Sequence, residues 1–355
     1  MDSIKYVGMD VHKETVSIAV RNQAGKIVMD TVIETRANAI LDCIRGIRGE
    51  LHITFEEGTW AAWLYDLLHP HVARVVVCDP RRNALLTEGN KGDKVDAHRL
   101  AALLRDGGML RPVYHGEHSL RSLRELARSY LVITQDVTRV MNRTKALYRG
   151  WGIPCGGQQV YAANHREVWL NKLPETGVRR RAEHFYQELD ALRALRQQVR
   201  RDLLTEARKQ PATRWLRQVP YIGPIWSALL VALLQTPHRF RTKRQLWSYC
   251  GLAIRTSSSA DYRFVDGELK RSKKSPLLRG LNTNHNHALK NIFKHAAMGA
   301  SCGSGPLREF YDAQVAQGKK PEMARLTLAR KIAAVTLAVW KQEGGFDAAH
   351  LKLQA

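Results

Sequence analysis

The sequence predicts a chain in three parts: an α/β domain over residues 1–110, a long helical coiled-coil arm over 111–210 and an all-α domain over 211–355. Three observations predict it. Short apolar runs of strand length alternate with helical stretches through the first part. Two longer segments then carry apolar residues at spacings of three, four and seven. Beyond Pro211 the chain reads as compact and helical, with an apolar helix from Ala228 to Leu234. A length of 355 residues accommodates two or three domains, each with its own core.

In the first part, Tyr6–Asp10, Val16–Val20 and Lys26–Ile33 read as strands, with Asn22-Gln23-Ala24-Gly25 as the turn between the last two. A helix over Ala37–Ile47, a strand over His52–Glu56, a Trp- and Leu-rich helix over Trp60–Leu68 and a strand over Ala73–Cys78 follow. Asp79-Pro80 breaks that last strand, and a helix runs from Asp93 to Arg105. Three antiparallel strands followed by alternating helix and strand is the order of the ribonuclease-H fold. A dinucleotide-binding sheet would alternate strictly from the start.

Residues 119–150 place Leu120, Leu123, Ala127, Tyr130, Val137 and Met141 on one face of a long helix. A loop with Gly152, Pro154, Gly156 and Gly157 leads to a second long helix, about 178–208, with Phe185, Leu189, Leu192, Leu195, Val199 and Leu203 along its seam. Two such helices joined by a glycine-rich connection predict an antiparallel coiled coil. The same seam would also serve self-association, so a homo-oligomer, dimer or tetramer, is expected.

Fifty-six Lys and Arg stand against 33 Asp and Glu, a formal net charge of +23. An excess this large implies a polyanionic partner, and nucleic acid is the usual one. A membrane is the other polyanion, but no apolar run approaches the roughly 20 residues needed to span a bilayer. Five scattered cysteines, Cys43, Cys78, Cys155, Cys250 and Cys302, exclude a zinc ribbon and argue against a disulfide framework. A reducing, bacterial cytoplasm is the expected setting, with no signal peptide ahead of the first strand.

On this cationic background four acids stand out. Asp10 ends the run Tyr6-Val7-Gly8-Met9, Glu56 ends Leu51-His52-Ile53-Thr54-Phe55, and Asp93 and Asp96 open the last helix of the first part. Carboxylates gathered on a basic protein point to hard metal ions facing a phosphate backbone. Phosphoryl transfer by two metals, about 4 Å apart, needs several oxygen ligands in one cleft. In the ribonuclease-H arrangement the first strand supplies an aspartate, its neighbour the fourth strand a second acid, and the last helix one or two more. Asp93 and Asp96, three apart, share a face of the helix start. Taken singly, each acid reads as a cap or a solvated side chain. Glu57 competes with Glu56, which follows its strand directly.

The segments Tyr6–Lys13, Phe55-Glu56-Glu57-Gly58-Thr59 and Lys91-x-Asp93-x-x-Asp96-Ala97 resemble the DEDD transposases of the insertion-sequence-110 group, whose nuclease domain resembles the RuvC Holliday-junction resolvase. The resemblance continues through Val219-Pro220-Tyr221-Ile222-Gly223-Pro224, where Tyr221 replaces a family glycine, and through Tyr249-Cys250-Gly251-Leu252. It implies a RuvC-like domain with Mg²⁺, two ions, held by Asp10, Glu56, Asp93 and Asp96. It also implies a serine that attacks DNA to give a covalent intermediate, donor and target double-stranded DNA as substrates, and guidance by a structured bridge RNA. Family members assemble as tetramers. The family serine aligns with Ser259, with Ser258 as the next choice, and Ala260 replaces the glycine that follows it.

The remaining motifs read as follows. Arg255, Arg263, Lys270, Arg271, Lys273 and Lys274 lie close to that serine in sequence and would bind the nucleic-acid backbone. Val219–Ile225 reads equally as a helix-hairpin-helix phosphate site or as a tight structural connection. Further Arg-rich stretches (Arg179–Arg181, Arg193–Arg201, Arg239–Arg244) are assigned to backbone contact. Trp215, Trp226 and Trp247 are assigned to the core, and Asn282–His287 to a helix-capping turn. The sequence therefore predicts a transposase or recombinase of an insertion sequence, guided by bridge RNA. Two alternatives stay open: a RuvC-like nuclease in which the serine is idle, and a catalytically dead nucleic-acid-binding protein.

Overall fold

The computed structural model describes residues 4–80, 92–107, 110–116, 120–257, 262–265, 268–271 and 277–352. The chain divides into two compact units, Met1–His118 and Ser119–Ala355.

The first unit is built on one mixed sheet. Strands β1 (Lys5–Val11), β2 (Thr15–Asn22) and β3 (Ile27–Glu34) form an antiparallel meander. Helix α1 (Ala37–Gly46) leads to β4 (Leu51–Glu56), which lies parallel to β1. Helix α2 (Ala61–Leu68) leads to β5 (Arg74–Cys78), parallel to β4, so the sheet order is β3-β2-β1-β4-β5. The period-2 alternation of a strand sorts its side chains to two faces. Val7, Met9, Ile18, Ile53 and Phe55 point to one face and are buried with Ile40 and Ile44 of α1 and Leu64 and Leu68 of α2. Helix α3 (Asp93–Asp106) covers the other face, burying Ala97, Leu100, Ala101 and Leu104. Its approach depends on a missing side chain. A Cβ on Gly8 would stand 2.1 Å from the Ala97 carbonyl oxygen and 2.5 Å from the Ala101 nitrogen. Only glycine lets the backbone of α3 settle on β1 at this depth.

The second unit begins with α4 (Arg121–Gly150), the short α5 (Arg166–Leu170) and α6 (Thr176–Ala207). Helices α4 and α6 run antiparallel. Leu123 and Ala127, near the start of α4, share a core with Leu203 and Ala207, near the end of α6. At the far end, Val137, Val140, Leu147 and Tyr148 share a second core with Ala182, Tyr186 and Leu189. The predicted seam holds at Leu189 and Leu203, both buried, and shifts around Phe185 and Leu195. Leu195 is 43% exposed and Phe185 only half-buried, while Ala182 and Tyr186 take the buried positions. The cause is polar as well as apolar: the hydroxyls of Tyr148 and Tyr186 meet at 3.0 Å, which turns the tyrosine face inward.

The rest of this unit packs α7 (Ala212–Leu216), α8 (Pro224–Leu234), α9 (Lys243–Tyr249), α10 (His287–Cys302), α11 (Pro306–Ala316), α12 (Pro321–Gln342) and α13 (Ala349–Lys352). Helix α8 is buried nearly all round, from Ser227 to Ala232 and at Leu234, as expected of a helix at the centre of a core. The expectation of an all-α domain is corrected. Strands β6 (Ile254–Ser257) and β9 (Leu277–Leu281) pair antiparallel, and β7 (Tyr262–Val265) and β8 (Glu268–Arg271) form a second antiparallel pair. The basic content of 255–274 hid aromatic and β-branched residues at strand spacing, Tyr262, Phe264 and Val265 among them.

Tyr221, between α7 and α8, has φ 66°, a left-handed conformation that glycine adopts far more readily than tyrosine. Its ring is received by two glycines of the α10 end. A Cβ on Gly299 would lie 3.1 Å from the ring, and one on Gly303 would lie 1.9 Å from the hydroxyl oxygen. All five cysteines are free thiols. Among the described residues, no helix is long and apolar enough to cross a membrane.

Candidate metal centre

The register of the sheet sets the site. Met9 pairs with Phe55 across β1 and β4, so Asp10 and Glu56 are the next residue on each strand. Both are one step out of phase with the buried Met9 and Phe55, and so they belong to the face that α3 covers. Asp93 and Asp96 occupy the first turn of α3, where the unpaired N–H groups favour negative charge.

His12, in the turn after β1, joins two of these acids. Its Nε2 lies 3.0 Å from Asp10 Oδ2 and 3.5 Å from Asp93 Oδ1. Ligand atoms of Asp10, His12 and Asp93 all lie within 4.8 Å of one another, close enough for one ion to touch all three. The backbone of His12 is pinned on both sides, its N–H donating to the Thr15 carbonyl and its carbonyl accepting from Thr35 Oγ1, each at 2.9 Å. The ring was not anticipated as a ligand. The signal available in the sequence was Asp10-Val11-His12, a histidine two residues beyond a strand-end aspartate.

Of the remaining two predicted acids, neither is in that triad. Asp96 stands close enough for its charge to act on Asp10. Its Oδ1 is buried and has no hydrogen-bond partner among the described residues, with Arg99 Nη1 3.6 Å away. Glu56 is half-buried at the end of β4. Its rival Glu57 is turned elsewhere. Glu57 Oε2 meets His115 Nε2 at 2.7 Å, and that ring stacks on Tyr65 with centroids 4.9 Å apart.

Burial pushes the Asp10 carboxyl above the ordinary aspartate range. The His12 hydrogen bond and charge work against this, and the charges of Asp93 and Asp96 add to it. Crowded carboxylates, a buried oxygen without a donor and a raised aspartate are what a cation would relieve. Oxygen donors of this kind fit a hard divalent ion. Helix α3 is held over the sheet from its side as well, since Asp30 of β3 takes His98 Nε2 at 2.9 Å and Lys94 Nζ at 3.6 Å. The His98 hydrogen bond holds the Asp30 carboxyl below its usual range.

In the second unit, Arg255 is exposed on β6. Arg263 pairs with Lys270, and Tyr262 with Arg271, in the β7–β8 register. Ser258, Ser259, Lys273 and Lys274 lie outside the described residues, as does Ala260; Ser257, the last residue of β6, pairs with Leu277. Some predicted contact arginines have internal work. Arg179 pairs with Glu167 at 2.8 Å, and the Arg239 guanidinium lies 4.8 Å from the centroid of the Tyr249 ring. Arg180, Arg181, Arg200 and Arg201 are exposed. Asn286 caps α10, its Oδ1 accepting from Leu289 N at 3.1 Å, so the Asn282–His287 run includes the expected capping turn. Gly251, at φ 66°, makes room for the His285 ring, which a Cβ there would approach to 2.3 Å. Trp215, Trp226 and Trp247 pack against the large core as expected.

Fold, acidic centre and basic charge together define a DNA-processing enzyme of the transposase class. A family model described as transposase, of the IS110 DEDD type, matches residues 7–151. A second, described as transposase of the IS116/IS110/IS902 family, matches residues 213–312. The chain belongs to the IS110 family of DEDD transposases. None of the curated proteins matches it.

Proposed function

We propose that the chain cleaves and exchanges DNA strands for an insertion sequence, with a ribonuclease-H-like first unit and Asp10, Glu56, Asp93 and Asp96 as the acids of its metal centre. The observation that carries this reading is the convergence of Asp10 and Asp93 on one site, from a strand end and a helix start. The sheet order, with the fourth strand parallel to the first, supports the ribonuclease-H reading. Residues 111–210 form an arm and 211–355 a further domain in this reading; the core at the far end of the α4–α6 pair, made wholly of residues from 137 to 189, supports the arm.

Asp10, Asp93, Asp96 and Glu56 would hold Mg²⁺, two ions in this reading, and His12 would orient Asp10. Bound there, the metal supplies Lewis-acid polarisation of the scissile phosphate. The α3 N-terminus, with its unpaired N–H groups, favours the negative charge of Asp93 and Asp96 in its first turn. Ser259, or Ser258 beside it, would attack phosphorus through Oγ. A Ser Oγ–P bond forms, the bond from phosphorus to the leaving sugar oxygen breaks, and the serine proton passes to a base. Arg255, Arg263, Lys270, Arg271, Lys273 and Lys274 would grip the strand backbone. Donor DNA, target DNA and a bridge RNA are the proposed partners of a homo-oligomer, and the excess of 56 basic over 33 acidic residues supports polyanion binding.

The test uses the full chain with DNA carrying its element ends, Mg²⁺ and RNA transcribed from the flanking element. Covalent protein–DNA adducts are read after denaturation. Adducts lost in Ser259→Ala or in Ser258→Ala identify the nucleophile; adducts surviving both changes remove the serine role. Exchange that persists in an Asp10→Asn, Asp93→Asn double variant removes the metal centre.

A further inference from the structure

We propose that the second unit holds a binding site for one unpaired nucleotide, in a cavity of about 860 Å³ bounded by α9, α11, α12 and α13. The inference rests on the nucleic-acid reading above. Its floor is aromatic and aliphatic, with Trp247, Phe310, Ala334, Ala338 and Leu351. Its lining carries five cations, Lys243, Lys319, Arg330, Lys331 and Lys341, of which Lys331 is buried. Among the described residues no carboxylate lines it, while Gln314, Gln317 and Thr327 add neutral polar groups. A flat apolar surface ringed by positive charge, with a few amides, matches a nucleobase and its phosphate.

Arg330 is the second observation. Its Nε donates to the Leu252 carbonyl at 2.6 Å, and its own carbonyl accepts from Trp247 Nε1 at 2.9 Å. Guanidinium and indole are thereby fixed relative to one another. Yet Nη2 of Arg330 is buried with no hydrogen-bond partner among the described residues. A buried donor left unmade is costly, and a small turn of the guanidinium toward the cavity would bring it to a phosphate or base oxygen. Burial also pushes the Arg330 guanidinium and the Lys331 ammonium below their ordinary ranges, the latter further through the charge of Lys243. An anion in the cavity relieves both. A duplex is too wide to enter, so the nucleotide would have to leave its stack. Trp247 thus joins the core on one side and would offer a stacking surface on the other.

The experiment measures binding of the full chain, in EDTA so that cleavage is off, to two DNA duplexes. One is fully paired; the other is identical except for a single unpaired 2-aminopurine. The expected result is about tenfold tighter binding of the bulged duplex, about 1.4 kcal/mol, together with quenching of the 2-aminopurine emission as it stacks. Ala338→Trp, which fills the cavity, and Lys319→Glu, an exposed charge reversal, should each bring the affinity ratio close to one. Lys319→Glu keeps the test alive if the filled variant does not fold. The same pair made in RNA assigns the strand, the polymer with the larger ratio supplying the nucleotide. Equal binding of the two duplexes in both polymers, or a preference that survives both variants, overturns the site while leaving the nucleic-acid reading intact. Binding to neither duplex in either polymer overturns both.

Discussion

The two units handle like charge in opposite senses. Near the end of the central strand of the first unit, Asp10, Asp93 and Asp96 crowd together, and burial, with the charges of Asp93 and Asp96 adding to it, raises the Asp10 carboxyl. Around the α9–α12 cavity of the second unit, ammonium and guanidinium groups gather, and burial lowers Arg330 and Lys331, the latter further through the charge of Lys243. In both places folding alone would be better served by neutral side chains. The comparison teaches where to look for ligands: a cation at the first, an anion at the second. Two arrangements that are each unfavourable by themselves become sensible once the polymer being processed, a chain of phosphates, is counted as part of the system.

The sharpest way to break this comparison is Asp10→Asn. Strand cleavage should fall on the order of 10³-fold, several kcal/mol of transition-state stabilisation. The metal-free variant should melt higher than the parent. The sign follows from the raised carboxyl: an acid held protonated by folding stabilises below the unfolded aspartate range and loses that contribution as pH rises through its folded value. The Tm difference between variant and parent should therefore grow from acid to neutral pH, read by thermal melts in EDTA. A variant that melts lower at neutral pH would show that the acids are not in conflict.

Gly8→Ala tests whether depth of helix seating sets the metal site. The added Cβ meets backbone of Ala97 and Ala101, so α3 must lift. Stability should drop by about 1–3 kcal/mol, and Mg²⁺ affinity, measured by calorimetry, by about 10–100-fold as Asp93 leaves Asp10. Unchanged metal affinity in a folded Gly8→Ala protein would detach α3 from the site. In the second unit, Gly303→Ala should destabilise by about 1–3 kcal/mol by colliding with the Tyr221 hydroxyl. Combining it with Tyr221→Gly should restore most of that loss in denaturant melts, since the glycine accepts the same φ without a ring. The smallest effect belongs to Asp30→Asn. Its partly exposed ion pairs with His98 and Lys94 are screened by solvent, so a small Tm decrease and near-parental cleavage are expected.

Much of the first unit was legible because its signals are local. Strand alternation placed β1 to β5 within a residue or two, and each candidate acid sat at an element end. His12 was not legible, because its role depends on a turn returning its ring to Asp10. Strands β6 to β9 were hidden by charge: basic side chains on a short hairpin look like a solvated loop when partners are unknown. The α4–α6 seam slipped for another reason. Apolar periodicity gives tyrosine no credit for its hydroxyl, yet the Tyr148–Tyr186 bond decides which row turns inward. Tyr221 showed the reverse, a departure from the family pattern whose strain only the two glycines of α10 make intelligible.

The paired helices carry one more consequence. Between Leu189 and Leu203, α6 has half-buried residues such as Leu192 and Val199 but no fully buried one, so this rod is fastened most firmly at its two clusters. Amide protons there should trade with deuterium sooner than those at either end, opposite to the fraying of ordinary helices. A beam of that construction bows in its middle, and whatever grips its tip is carried along without either cluster coming apart.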